Sequence, residues 1–156
     1  MKRVLIVCTG NICRSPMAVG LLQKTLADKG VDGVEIQSTG IAALVGRPAE
    51  PLVNEALKPF GTDVSEHRAQ MISEELIQWA DCILVMTHEH LDFVSSMAPE
   101  AIERVWLLGA YGPGDDPDRG IPDPYGGSAF HYRACAVELQ EALNGFLASD
   151  GLALDG

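Results

Sequence analysis

Basic residues are scarce in this chain: 11 Lys and Arg stand against 22 Asp and Glu in 156 residues, a formal net charge of −11. Binding a polyanion needs a basic face, so this balance excludes nucleic acid as a partner. Long apolar runs are missing too. None approaches the roughly 20 residues that cross a bilayer. The opening Met1-Lys2-Arg3 and the short apolar stretch behind it fall short of the core of a secretion signal, so no membrane partner is expected. Cysteine is sparse. Cys8, Cys13, Cys82 and Cys135 include no pair at zinc-ribbon spacing, and a chain of this length and texture is not a disulfide scaffold. Cys82 and Cys135 lie among apolar residues and read as small buried hydrophobes. Together these features imply a reducing, cytoplasmic setting. His88 and His90 have no third ligand beside them and read as a solvated loop, so no metal and no other cofactor is expected.

What the chain does have is material for a core. With 47% apolar residues and a mean hydropathy of +0.10, it fits one compact domain over residues 1–148. Periodicity then ends, which predicts a flexible tail over residues 149–156. Arg3–Cys8 reads as a buried parallel strand, continuous and β-branched. Ser15 and Pro16 open a helix that carries Leu21, Leu22 and Leu26 and stops at Gly30. Val34–Ser38 is a second strand and Glu50–Phe60 a helix ended by Gly61. Ser73 begins a further helix leading into the strand Asp81–Met86, His90–Met97 is helical, and Val105–Leu108 is a fourth strand. A glycine- and proline-rich loop, Gly109–Gly127, precedes a final helix from Ser128 to Leu147. Strands alternating with helices predict an α/β fold with an open parallel sheet covered on both faces. In such sheets ligands sit at the carboxyl ends of strands, which is where Cys8 falls.

The segment from Val4 to Ala18 carries the chemistry. Thr9, Gly10, Asn11, Ile12, Cys13 and Arg14 form a loop of the length that curls around a phosphate. Gly10 frees the backbone at the tight part, successive N–H groups can face inward as a nest, and the next helix adds its positive end. Arg14 can grip two oxygens with one planar fork. The same features favour a thiolate at Cys8, and Ser15 can donate a hydrogen bond to that sulfur. The cradle therefore suits phosphate or another tetrahedral oxyanion, with a nucleophile at its floor.

A thiolate that cleaves a phosphate monoester needs an acid for the departing oxygen. No histidine lies in the anion loop. The glycine–proline loop offers Asp115, Asp116, Asp118 and Asp123 instead. Asp123, in Ile121-Pro122-Asp123-Pro124-Tyr125, is the candidate, because proline stiffens its backbone and Tyr125 can wall an aromatic pocket. Asp116-Pro117 is the rival and lacks the aromatic residue.

The chain resembles the low-molecular-weight protein tyrosine phosphatases in Val4–Ala18, Ser38-Thr39-Gly40, Ser65-Glu66-His67-Arg68-Ala69, Val85-Met86 and Asp123-Pro124-Tyr125. The resemblance implies a flavodoxin-like three-layer sandwich with a four-stranded parallel sheet, a cysteinyl-phosphate intermediate and no metal. It implies Cys8 as nucleophile, Arg14 as phosphate clamp and Asp123 as general acid and then base. It also implies Asn11, Ser15, Ser38 and His67 as a supporting polar network. Cys13 matches a family cysteine that can form a reversible, protective disulfide with the nucleophile. The implied partner is a phosphotyrosine protein, a bacterial tyrosine kinase being one candidate.

Thr87-His88-Glu89-His90 and the Asp123-Pro124-Tyr125-Gly126-Gly127-Ser128 run resemble a bacterial branch that includes protein-arginine phosphatases. Those enzymes carry threonine where this chain has Ile12. An apolar side chain there suits a tyrosine ring, so phosphotyrosine is the expected substrate and phosphoarginine the alternative. The pocket walls Ile12, Leu44 and Tyr125 are less aromatic than in many members, since Ile41–Val45 is aliphatic and position 126 is Gly. A rival of another class is arsenate reduction, but it needs resolving cysteines, and beyond Cys82 position 89 is Glu. A non-catalytic phosphate reader is a further rival, for which the joint presence of Cys8, Arg14 and Asp123 would be coincidence.

Overall fold

Val4, Leu5, Ile6 and Val7 have no exposed surface, which is why this stretch reads as an unbroken apolar run rather than an alternating one. A computed structural model describes residues 2–149 together with 151 and 152. Strand β1 spans Lys2–Cys8, β2 Val34–Gly40, β3 Cys82–Val85 and β4 Val105–Leu107. They form one parallel sheet in the order β2-β1-β3-β4, as expected for the flavodoxin-like sandwich. β1 lies between two neighbours, and the strand order reverses there.

Helices cover both faces. Val4, Ile6 and Cys8 face α1 (Arg14–Asp28), α2 (Pro51–Leu57) and α5 (Ala129–Ala148), packing with Met17, Leu21, Leu57, Leu139 and Phe146. Leu5 and Val7 face the opposite layer, where Ile77 of α3 (Glu74–Trp79) and Val94 of α4 (His88–Met97) close the core. Burying the four side chains from Val4 to Val7 stabilises β1 by roughly 6–12 kcal/mol before chain entropy is counted. The strand that ends in Cys8 is thus firmly anchored, paired on both edges and buried on both faces.

Element boundaries differ from the sequence reading in instructive places. The helix expected to reach Phe60 ends at Leu57 and continues as a 3₁₀ turn, Lys58–Phe60. Pro59 has no N–H to extend the α-helical ladder, and Gly61 closes the turn at φ 77°. α4 begins at His88, not His90, because Thr87 caps it: Thr87 N–H donates to His90 Nδ1 at 3.2 Å. His90 is helical, as the sequence reads, but it is 1% exposed, which corrects its reading as part of a solvated loop. His88 is exposed and meets Asp118 at 3.0 Å. The tail expected from residue 149 is corrected at its start. Ser149 N–H caps α5 on Gly145 O, Gly151 N–H donates to Phe146 O at 3.1 Å, and Leu152 is buried in the core. Residues 150 and 153–156 of that expected tail lie outside the described residues. No described helix is long and apolar enough to cross a membrane.

Candidate active site

Cys8 is the last residue of β1 and pairs with Gly40, the last of β2. Beyond it the chain leaves the sheet and returns as α1, so residues 9–13 make a ring at the carboxyl edge. The outward carbonyls of this ring are all satisfied. Cys8 O accepts from Ile41 N–H, Thr9 O from Ala42, Gly10 O from Leu44, Ile12 O from Glu50 and Cys13 O from Met17, at 2.9–3.1 Å. Asn11 O accepts from His67 Nε2 at 2.6 Å. Because each peptide is planar and trans, an outward carbonyl turns the next N–H inward. The ring therefore lines its interior with donors, and the N-terminus of α1 adds its positive end.

Asn11 is the pin of this ring. Its φ of 59° is the one positive value at a non-glycine position among the described residues, and asparagine tolerates that conformation better than most residues. Its amide is fully used: Nδ2 donates to Ser15 Oγ at 2.8 Å and to Ser38 Oγ at 2.9 Å, while Oδ1 accepts from Gln70 N–H at 2.8 Å. Ser15 Oγ lies 2.9 Å from Cys8 Sγ. With Asn11 donating to that oxygen, the serine proton is directed to the sulfur. Burial holds His67 below its ordinary range, against the raising effect of its bond to Asn11 O. It stays neutral and donates from Nε2. Gln70 also donates from Nε2 to Ser38 O at 2.8 Å, tying β2 to the network.

Arg14 is 4% exposed. Nη1 donates to Ile121 O at 2.9 Å and Nη2 to Thr9 Oγ1 at 3.3 Å. Asp123 Oδ2 stands 3.6 Å from Nη2. The acidic loop is fixed by Ile121, which is buried and donates its N–H to Met86 O just past β3. Asp123 Oδ1 accepts from Tyr125 N–H at 3.0 Å, so Oδ2 is the oxygen left toward Arg14. Asp116 instead binds Asp118 N–H within its own exposed turn, and among the four loop acids Asp123 is the one that lines the cavity.

That cavity has a volume of about 240 Å³ and is lined by Cys8, Thr9, Gly10, Ile12, Cys13, Arg14, Ala42, Leu44, Asp123 and Tyr125. Its floor is the sulfur and the ring. Its walls are Ile12, Leu44 and Tyr125. Asn11, Ser15, Ser38 and His67 stand behind the floor, not in it. Cys13 Sγ lies 3.5 Å from Tyr132 Oη, and burial pushes its thiol up to about 12. Cys82, buried in β3, is pushed up to about 12 by the same cause and does not reach the cavity.

Three members of the site escaped the sequence reading. Gln70 follows the Ser65–Ala69 motif directly but has no chemistry of its own to mark it. Gly40 stands in the Ser38-Thr39-Gly40 motif, which does not reveal its contact: a Cβ there would collide with Thr9 O. His90 Nε2 lies 2.9 Å from Thr9 Oγ1. The one local signal for His90 was its spacing three residues after Thr87, that of a capping box.

A family model described as low molecular weight phosphotyrosine protein phosphatase matches residues 3–153. The chain is 39% identical over 142 residues to a protein-arginine-phosphatase of Geobacillus stearothermophilus, with 91% of each chain covered. It is 42% identical over 125 residues to a probable low molecular weight protein-tyrosine-phosphatase, EpsP, of Ralstonia nicotianae, over 80% of this chain and 79% of that one. Among solved structures it is similar to Wzb of Vibrio vulnificus in complex with benzylphosphonate. The TM-score there is 0.84 and the identity 33%, covering 95% of this chain and 98% of the other. The chain belongs to the low molecular weight phosphotyrosine protein phosphatase family, and its fold is that family's three-layer α/β sandwich.

Proposed function

We propose that this chain hydrolyses phosphotyrosine in proteins through a cysteinyl-phosphate intermediate. One observation carries the reading: Cys8 Sγ sits at the floor of an amide-lined ring, with Ser15 Oγ at 2.9 Å and, at the rim, Asp123 Oδ2 3.6 Å from Arg14. The phosphoryl group enters the ring, where the N–H groups of residues 9–14 and the Arg14 guanidinium take its oxygens. Cys8 thiolate attacks phosphorus. The S–P bond forms, the P–O bond to the tyrosine ring breaks, and Asp123 gives its proton to the departing oxygen. A water then attacks phosphorus while Asp123 takes its proton. The S–P bond breaks, its electrons return to sulfur, and the Ser15 hydroxyl eases that departure. Inorganic phosphate leaves.

The apolar walls Ile12, Leu44 and Tyr125 support tyrosine as the leaving side. Phosphoarginine is the second reading, favoured by the identity to the Geobacillus stearothermophilus protein-arginine-phosphatase. A bacterial tyrosine kinase is a fitting protein substrate, and the cytoplasm, which keeps Cys8 reduced, a fitting setting. Steady-state assays test the proposal. Hydrolysis of p-nitrophenyl phosphate should be abolished in Cys8→Ser, and Asp123→Asn should slow poor leaving groups by about 10²–10⁴-fold while sparing good ones. Matched phosphopeptides should give the higher kcat/KM on phosphotyrosine. Equal loss across leaving groups would remove Asp123 from the acid role, and a higher kcat/KM on phosphoarginine would overturn the substrate choice.

A further inference from the structure

We propose that His90 is a positioning residue for the oxyanion cradle, holding Thr9 as a pure hydrogen-bond donor beside Arg14. His90 sits on α4, 81 residues from Thr9, with no place in the reaction steps above. Its Nδ1 accepts the Thr87 N–H at 3.2 Å. A neutral ring that accepts there carries its proton on Nε2, and Nε2 meets Thr9 Oγ1 at 2.9 Å. Thr9 Oγ1 also accepts from Arg14 Nη2 at 3.3 Å. Both lone pairs of that oxygen are then engaged, and the hydroxyl can only donate to whatever occupies the cavity it lines. A phosphoryl dianion is acceptor-only, so the constraint matches the cargo.

The ring is 1% exposed. Burial, then the nearby Arg14 charge, pushes its titration down to about 4, against the opposing pull of Asp123. The Nδ1 lone pair and the Nε2 proton therefore persist at neutral pH. The inference rests on the reading of the cavity as an oxyanion site.

Two substitutions separate the two ends of the ring. His90→Asn places an amide oxygen where Nδ1 sits, keeping the cap on Thr87 but losing reach to Thr9. His90→Gln keeps an N–H near the Nε2 position and loses the cap. The probe is inorganic phosphate, titrated into the full chain by calorimetry, with melting temperature recorded for each variant. Phosphate Kd should rise about tenfold in His90→Asn and in Thr9→Val, and stay within about threefold of wild type in His90→Gln. The Thr9→Val/His90→Asn double variant should be no weaker than about twofold beyond either single, since both remove one bridge. Histidine 15N spectra of the unmutated protein give a reading that no folding defect can spoil: Nδ1 unprotonated, Nε2 protonated, and an Nε2 signal that shifts on adding phosphate. Wild-type phosphate binding with no change in His90→Asn overturns the role of His90 alone, as does an unmoved Nε2 signal or a double variant that loses the product of the singles. No phosphate binding by the wild type overturns the oxyanion reading and this inference with it.

Discussion

At the scale of single residues, the site works by leaving no side chain ambiguous. Asn11 uses every polar atom of its amide, and in doing so decides which way the Ser15 proton faces. Cys13 shows the same logic in a redox setting. Both Cys8 and Cys13 line the cavity, yet burial pushes the Cys13 thiol up to about 12, so it stays protonated and does not compete as a nucleophile. We propose that it acts after oxidation. Peroxide converts the Cys8 thiolate to a sulfenic acid, the Cys13 sulfur displaces its hydroxyl as water, and a disulfide forms that thiols can reduce. Peroxide-treated protein should therefore regain most of its activity in dithiothreitol. Cys13→Ser should regain less than about half as much, through irreversible overoxidation of Cys8. Equal recovery in both would assign Cys13 to packing alone.

At the scale of elements, the ring of residues 9–13 depends on the two segments behind it. β2 ends in Gly40, whose N–H donates to Gln70 O and whose carbonyl accepts Ile72 N–H. These bonds bring the 67–72 segment against the ring, and the close approach leaves no room for a methyl group beside Thr9 O. Gly40→Ala should destabilise the fold by about 1–3 kcal/mol as an overpacking change. It should also lower kcat/KM more than a surface alanine substitution does, because the backbone that yields is the ring itself. Urea unfolding and p-nitrophenyl phosphate kinetics check both halves, and a Gly40→Ala protein with wild-type values would show the contact to be slack. How much of this was legible follows from where each signal lies. β1 and its ring could be read because a strand buried on both faces is an unbroken β-branched run and its motif is contiguous. The first turn of α4 could not. Its cap uses a histidine, not a glutamate, three residues after Thr87, so His88 and Glu89 look polar and loop-like and the helix reads as beginning at His90. Buried His90 meets Thr9 at 2.9 Å, a partner 81 residues away that no local periodicity reports. Leu152 is illegible for a related reason, since one apolar residue beyond a helix end carries no period.

At the scale of the whole molecule, an acidic chain of net charge −11 buries Arg14 within a ring of backbone donors, so the field at the proposed oxyanion site opposes the global one. The same burial makes stability depend on pH through His90. The folded state keeps this ring neutral down to about 4, whereas in the unfolded chain it takes up a proton near 6.5. Between those values the unfolded state binds more protons. The contribution of His90 is therefore complete above about pH 6.5 and falls by roughly 1.4 kcal/mol per pH unit on acidification, reaching about 3 kcal/mol near pH 4. His67, lowered by burial as well, acts in the same direction, while the facing charges of Arg14 and Asp123 pull His90 oppositely. Unfolding free energies measured in urea at pH 7 and pH 5 should fall further for wild type than for His90→Gln, the difference between the two drops being about 2 kcal/mol. Carboxylate titrations common to both proteins cancel in that comparison. Parallel pH dependences would mean that His90 titrates normally in the folded protein, and that its ring is reached by water.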